Sequence, residues 1–346
     1  MLVSAMRKHL FLLLLAIPAA TLFSAQGQSS TGITDLAQAH ELLEHDHPDQ
    51  AITILEKLAT AQPAVKGAQH ELGIAYYRTG KLIEAKAAFA KAIEEDASDK
   101  ESVQMEGLVL YRMGQTEAAI PYLERVLEWM PNANTDAQYV LGLCYLNARR
   151  YDDARRSFAA QFGEPKDSAS AYLLLATMLR RANFPEIAAA QAQKALEISP
   201  SLPMAHFILG EIALNKLDFN EAIRQLEAER GINPGYAPVY DRLGDAYLKE
   251  DRLDDAQPAL IKAIALDTTL TQSFLNMGKV LLRRQDIRTA IMYLKHAEKM
   301  DPDDSTTHLL LAQAYHRVGL DDDAKRESVL ASKIKAENRL VLDPGK

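Results

Sequence analysis

An all-α stack of paired short helices is the fold class this sequence predicts, and three observations predict it. A pattern of about 34 residues returns along nearly the whole chain. The 346 residues are 48% hydrophobic but only 7% aromatic and carry many alanines, a composition that suits closely packed helices better than strands. Prolines recur at one place in the pattern, at Pro63, Pro131, Pro200, Pro234 and Pro302. Each fixes φ and removes a donor, so each ends one helix pair before the next begins. A stack of such units overrides the usual division of a chain this long into two or three globular domains.

The pattern is clearest from Lys66 to Asp99, KGAQHELGIAYYRTGKLIEAKAAFAKAIEEDASD. Leu72, Gly73 and Tyr76 give its first helix a face of mixed large and tiny residues, and Ala85, Phe89 and Ala92 give its second helix another. Small residues let backbones approach and large ones fill the gap. The spacing, Leu-Gly-x-x-Tyr followed by Ala-x-x-x-Phe-x-x-Ala, resembles the tetratricopeptide repeat (TPR) consensus of about 34 residues. The resemblance implies a right-handed α-solenoid, a superhelix of antiparallel helix pairs that acts by binding partners.

Residues 1–27 differ in kind. Arg7, Lys8 and His9 precede an apolar run from Leu10 to Ala20 and then small residues around Ala25, Gln26 and Gly27, the layout of a cleaved secretory signal peptide. Cleavage after Ala25 or Gly27 removes two cations, taking the net charge from -8 to -10. No stable membrane span is expected after its removal, since the run is short and lacks a basic stop-transfer flank. The expected location is periplasmic or secreted, in a bacterial source. So acidic a chain repels nucleic acid. Cys144 is the only cysteine, which excludes an internal disulfide and a lipoprotein anchor; among Leu141, Gly142, Leu143 and Tyr145 it reads as a small core hydrophobe.

The solenoid is expected over 28–340, with units starting near residues 32, 66, 100, 135, 169, 203, 237, 271 and 305, and a tail over 341–346. The first unit, with Ala39, Ala51, Leu55 and Leu58, is degenerate as a capping unit should be. The third carries Gly107, Ala119, Leu123 and Val126, and one residue is inserted around Ala133 and Asn134. The fourth, with Leu141, Gly142, Tyr145, Ala154 and Phe158, closes weakly through Gly163, Glu164 and Pro165, where a bend is expected. Ala176 and Ala188 mark the fifth unit, Gly210 and Leu226 the sixth, Gly244 and Leu260 the seventh, and Gly278 and Leu294 the eighth. The ninth, with Ala312, Tyr315 and Ala331, ends in a polar helix reaching about Leu340, which suits a stack end. Gly80, Gly114 and Gly319 fall at the turn inside a unit, where glycine adopts positive φ without strain; Asn183 and Asp251 substitute for it. Arg149, Leu217 and Gln285 break this preference and predict differently built turns. Pro121 and Pro258, early in their second helices, are expected to forfeit little there.

No nucleophile elbow, phosphate loop, zinc-binding cysteine pair or dinucleotide glycine pattern is present, so neither catalysis nor a cofactor or metal is expected. His40-Glu41-Leu42-Leu43-Glu44-His45 resembles a zinc-protease helix but has one residue too many, which turns the second imidazole about 100° off the required face. His45-Asp46-His47 falls in a turn and reads as solvated. A metal-dependent enzyme is the weakest alternative.

In this family, positions 2, 5, 6, 9, 12 and 13 of each first helix line the inner face. In the fourth to sixth units they are apolar: Tyr139, Val140, Leu143, Leu146, Leu173, Leu174, Met204, Phe207, Ile208 and Leu214, with Thr177 among them. An apolar groove of that extent suits a peptide or a partner helix, unless the superhelix closes over it. In the seventh and eighth units the same positions become polar, with Asp241, Arg242, Asp245, Lys249, Asn276, Lys279 and Arg283, which would orient a charged segment. The lysine clamp of chaperone-binding relatives is absent, since position 5 holds no Lys. Position 13 carries Arg78, Arg112, Arg181, Lys249, Arg283 and Arg317, where a cation suits a helix C-terminus. The expected function is a non-catalytic scaffold of the cell envelope or exterior that binds a protein partner, by resemblance one assisting assembly of an envelope or export complex. A self-associating structural oligomer is the alternative.

Overall fold

The computed structural model describes residues 30–61, 64–130 and 135–342. The expected signal peptide, Pro63, Pro131, the inserted Ala133 and Asn134, and the last four residues of the expected tail lie outside these. Eighteen helices and no strand occur among the described residues.

The described residues form two compact units, divided between Met113 and Gly114. The first holds α1 (Ser30–Glu44), α2 (Pro48–Thr60), α3 (Ala68–Arg78), α4 (Leu82–Glu95) and α5 (Lys100–Arg112). The second begins with α6 (Thr116–Trp129), α7 (Thr135–Asn147), α8 (Tyr151–Gln161), α9 (Ala169–Arg181), α10 (Pro185–Ile198), α11 (Ala205–Asn215) and α12 (Phe219–Ile232). It continues with α13 (Ala237–Lys249), α14 (Leu253–Leu266), α15 (Thr271–Arg283), α16 (Ile287–Met300), α17 (Ser305–Arg317) and α18 (Asp321–Leu342). Six odd-numbered helices begin at the residue where the 34-residue register opens a unit: Lys100, Thr135, Ala169, Ala237, Thr271 and Ser305. Within each unit a helix packs on its sequence neighbours, and first helices also touch one another, as in α1 with α3 or α13 with α15. Such nearest-neighbour packing is the signature of a solenoid.

The glycine at position 8 is explained by position 24. A Cβ built on Gly73, Gly142, Gly210, Gly244 or Gly278 would stand 2.7 Å or less from Phe89, Phe158, Leu226, Leu260 or Leu294, each sixteen residues later and fully buried. The missing side chain lets the two helices of a pair close on that large one. In three units the contact with the preceding second helix is polar. Tyr76 donates to Glu56 at 2.6 Å, and Tyr145 and Tyr247 donate to Glu124 and Glu227, in each case the second helix of the preceding unit. Arg150 and Arg252 stack on those last two rings at 4.4 and 4.5 Å.

Three expectations are corrected. Arg149, Leu217 and Gln285 do not build different turns: their φ values of 58°, 60° and 63° match those of Asp46, Asn183 and Asp251, and glycines fill the equivalent place at 80, 114 and 319. Closing a helix pair this tightly imposes the left-handed conformation whatever the residue. Pro121 and Pro258 are each the sixth residue of a helix, past the first turn, so each removes an internal backbone hydrogen bond, and the packed helix carries on regardless. The last helix runs to Leu342, into the expected tail.

The weak junction after α8 is pinned by Arg155. Its guanidinium is buried, donates to the Lys166 carbonyl and to Asp167 at 2.6 Å, and lies 4.3 Å over the Tyr172 ring. Cys144 is buried as expected, and burial pushes its thiol up to about 11.

Candidate partner-binding face

Residues at the inner positions of α7, α9, α11, α13, α15 and α17 divide into three stretches. In α7, α9 and α11 the apolar residues are shared between core and surface. Tyr139, Val140, Leu143, Leu173, Leu174, Thr177, Met204 and Leu214 are half-buried. Leu146, Phe207 and Ile208 are only 3%, 5% and 2% exposed, so these three belong to the core and not to the face on which the sequence pattern puts them. Phe207 and Ile208 lie on α11, which touches both α9 and α13 directly. Phe207 meets Tyr236 edge-on at 5.3 Å. Tyr139 leans on Phe158 at 5.9 Å.

The second stretch is a ladder of polar side chains. Glu211 on α11 lies between Arg180 on α9, at 3.1 Å, and Arg242 on α13, at 3.3 Å. Arg242 also donates to Asp241 at 3.0 Å, and the other oxygen of Asp241 accepts from Ser273 on α15 at 2.6 Å. Burial raises the Asp241 carboxyl pKa, against the pull of Ser273 and Arg242. Asn276, also buried, donates to Asp245 at 3.3 Å and accepts from Gln272 and Lys279 at 3.0 Å each. Most charges that were expected to meet a partner are therefore paired inside the stack. A buried polar network of this kind fixes how neighbouring units sit.

The third stretch keeps its charge. A shallow open depression of about 330 Å³ lies between α15 and α17, lined by Lys279, Leu282, Arg283, Leu310, Gln313 and Arg317. All six occupy inner positions of their units. Arg283 donates to Asp251 at 2.9 Å, whereas Lys279 meets only the neutral amide of Asn276 at hydrogen-bond distance and has its pKa lowered by burial. Lys249 is exposed nearby on α13. Of these residues, Leu310, Gln313, Arg180, Glu211 and Ser273 were missed as site residues. Positions 6, 9 and 12 flag Leu310, Gln313, Glu211 and Arg180, but Ser273, at position 3, becomes visible only through its partner.

The histidine motifs of the first pair hold no joint site. His40 contacts Glu71 at 2.9 Å on α3, while His45 bonds the Glu41 carbonyl in its own turn. A Ser-His-Asp cluster on α3 and α5 also fails as a catalytic triad. The same nitrogen of His70, Nδ1, faces both Asp99 and Ser102 at 2.9 Å, and Ser102 donates to Asp99 at 2.6 Å.

One family model described as tetratricopeptide repeat matches residues 36–100, 173–237 and 275–331, more than half of the chain. Two further models of the same description match 110–179 and 237–269. Among curated proteins, the chain is similar to Superkiller complex protein 3 of Mus musculus, at 24% identity over 67% of this chain and 15% of that protein. It is also similar to the peroxisomal targeting signal receptor of Candida albicans, at 26% identity over 60% of this chain and 37% of that protein. The chain thus spans well under half the length of these two relatives. Among solved structures, PilF of Pseudomonas aeruginosa is similar at 20% identity and a TM-score of 0.47, covering 61% of this chain and 93% of that one.

Proposed function

Because this chain belongs to the tetratricopeptide repeat family, we propose that it is a non-catalytic scaffold that receives a peptide or a partner helix on the first-helix face of α7 to α17. Repeats of this family mediate protein–protein interaction, and a relative named as a receptor supports the reading. The observation that carries it is the depression between α15 and α17. Three cations and two leucines converge there on one open face, Arg283 and Arg317 also bonding carbonyls of the preceding first helix. Acidic side chains of a partner meet Lys279, Arg283 and Arg317, and its apolar side chains meet the half-buried row of Leu143, Leu173 and Leu174.

The sequence of residues 1–27 supports action outside the cytoplasm, in the periplasm or secreted, with assembly of an envelope or export complex as the proposed role. No helix among the described residues is long and apolar enough to cross a membrane.

Photo-crosslinking tests the face. A crosslinkable residue is placed at Leu143, Leu174 or Gln313, and for comparison at Met292, which is exposed on a second helix. Crosslinks to another protein from the first three positions and none from Met292 are expected. Equal yield from Met292, or none from any site, would sink the proposal. Crosslinks to a second copy, with a size that grows with concentration, would show a self-associating oligomer instead. Fractionation with mass analysis of the N-terminus tests export: a mature chain starting at Gln26 or Gln28 outside the cytoplasm is expected, and an intact cytoplasmic chain would refute it.

A further inference from the structure

The last three helices hold a cluster that partner binding does not use. Glu298 on α16, His308 on α17 and Glu327 on α18 bring one ligand atom each to within 4.8 Å of one another. His308 is only 1% exposed. Its Nε2 lies 2.8 Å from the Pro302 carbonyl, which can only accept, so Nε2 carries a proton. Tyr240 does the same work at the same position of its unit, donating to the Pro234 carbonyl at 3.0 Å. The closing-proline contact thus fixes the tautomer of His308 and aims Nδ1 at the two carboxylates, 2.7 Å from Glu327.

Glu298 is the residue that packing does not explain. Its place in the register is apolar in most units, as Ala59, Ile93, Leu127, Leu196 and Ile264 show. It also sets an acid in the last turn of α16, where the helix dipole disfavours one. Two carboxylates around one imidazole keep a net negative charge even with the imidazole protonated. A divalent cation with neutral imidazole brings that sum to zero.

We propose that Glu298, His308 and Glu327 form a binding site for a divalent ion of the zinc class, clasping α16, α17 and α18 together. Nitrogen and carboxylate ligands suit such an ion at about 2.0–2.2 Å, with water at the fourth position. The backbone carbonyl behind the imidazole is the outer contact that metal-bound histidines usually make. On binding, the ion takes the place of the proton between Nδ1 and Glu327, and side-chain shifts of about 1 Å bring the three atoms to ligand distance.

Calorimetric titration of the full chain with zinc chloride, in a buffer that does not chelate, tests this. One ion per chain is expected, with a rise in melting temperature. Glu298→Gln leaves the bonds of His308 to Glu327 and Pro302 in place, so without zinc its melting temperature should equal the wild type's. With zinc its affinity should fall about 10- to 100-fold. Glu327→Gln provides a second ligand deletion should Glu298→Gln fold poorly. A His45→Ala, His47→Ala variant should bind as the wild type does. The proposal is overturned if the wild type binds no zinc, if both ligand variants bind as tightly as the wild type, or if binding follows His45 and His47.

Discussion

Position 8 and the turn at position 15 make opposite demands on a side chain, and substitution separates them. At Gly244 and Gly278 an added methyl meets Leu260 or Leu294 at well under contact distance. Gly244→Ala should therefore destabilise by about 1–3 kcal/mol in urea unfolding, although alanine is the better helix former. At Gly231, also helical, nothing lies within 4 Å of the built Cβ. There the same change should stabilise by up to about 1 kcal/mol. Equal effects at both sites would mean that helix propensity and not packing decides. Leu217 is strained in the other sense: it is 72% exposed and held at φ 60° with no compensating burial. Leu217→Gly should raise stability by about 1 kcal/mol or less, read as a shift in urea midpoint. The glycines and alanines of the core were legible in the sequence because each unit repeats them. The common turn conformation at Arg149, Leu217 and Gln285 was not, because geometry imposes it against the residues' own preference. The burial of Phe207 and Ile208 was hidden too, since it depends on how closely α9, α11 and α13 approach.

Along the helices, the position-13 arginines link one unit to the next. Arg283 and Arg317 donate to the carbonyls of Leu248 and Leu282 at 2.9 and 3.0 Å, and Arg112 to that of Tyr77 at 3.4 Å. Arg78 reaches Leu43 in the same way. Each carbonyl belongs to the last-but-one residue of the preceding first helix and also accepts from the backbone N–H three residues on, so the guanidinium takes its second lone pair. The stripe is thus a set of caps between helices, more specific than the dipole preference read from sequence. Arg317→Ala should lower stability by about 1 kcal/mol, while Arg181→Ala, at an exposed member of the stripe, should change it little. Matching losses at both would remove the capping role. Between α3 and α5 the link is ionic. Burial favours neutral His70, but hydrogen bonds to Asp99 and Glu101 prevail and raise it to about 10; burial also opposes ionisation of Asp99, but its hydrogen bonds with His70 and Ser102 prevail and lower it to about 2. A raised imidazole stabilises the fold fully below pH 6.5 and loses that contribution as pH climbs toward 10. Asp99 contributes above its ordinary range and loses its share as pH falls toward 2. The gap in stability between the wild type and His70→Gln should therefore shrink between pH 6.5 and pH 10, by on the order of 2 kcal/mol. A gap that stays constant would show that His70 holds no proton.

At the largest scale, the described helices pack on near neighbours in sequence. Within each compact unit a helix meets the helices one or two places away, so a weakness introduced at one point has few routes by which to spread. Hydrogen exchange measures that reach directly. Gly278→Ala loosens the pair α15 and α16, where Leu294 can no longer seat against the first helix. Exchange should rise there and in α13, α14, α17 and α18, whereas α1 to α5 should keep the protection they have in the wild type. The opposite result, an equal rise in every helix, would mean that the chain unfolds as one body and that the nearest-neighbour contacts understate its cooperativity. The distinction matters for binding. The depression between α15 and α17 lies inside the stretch that Gly278→Ala loosens. If stability is local, this substitution should weaken a partner's grip on the face while leaving α1 to α5 as a folded internal control.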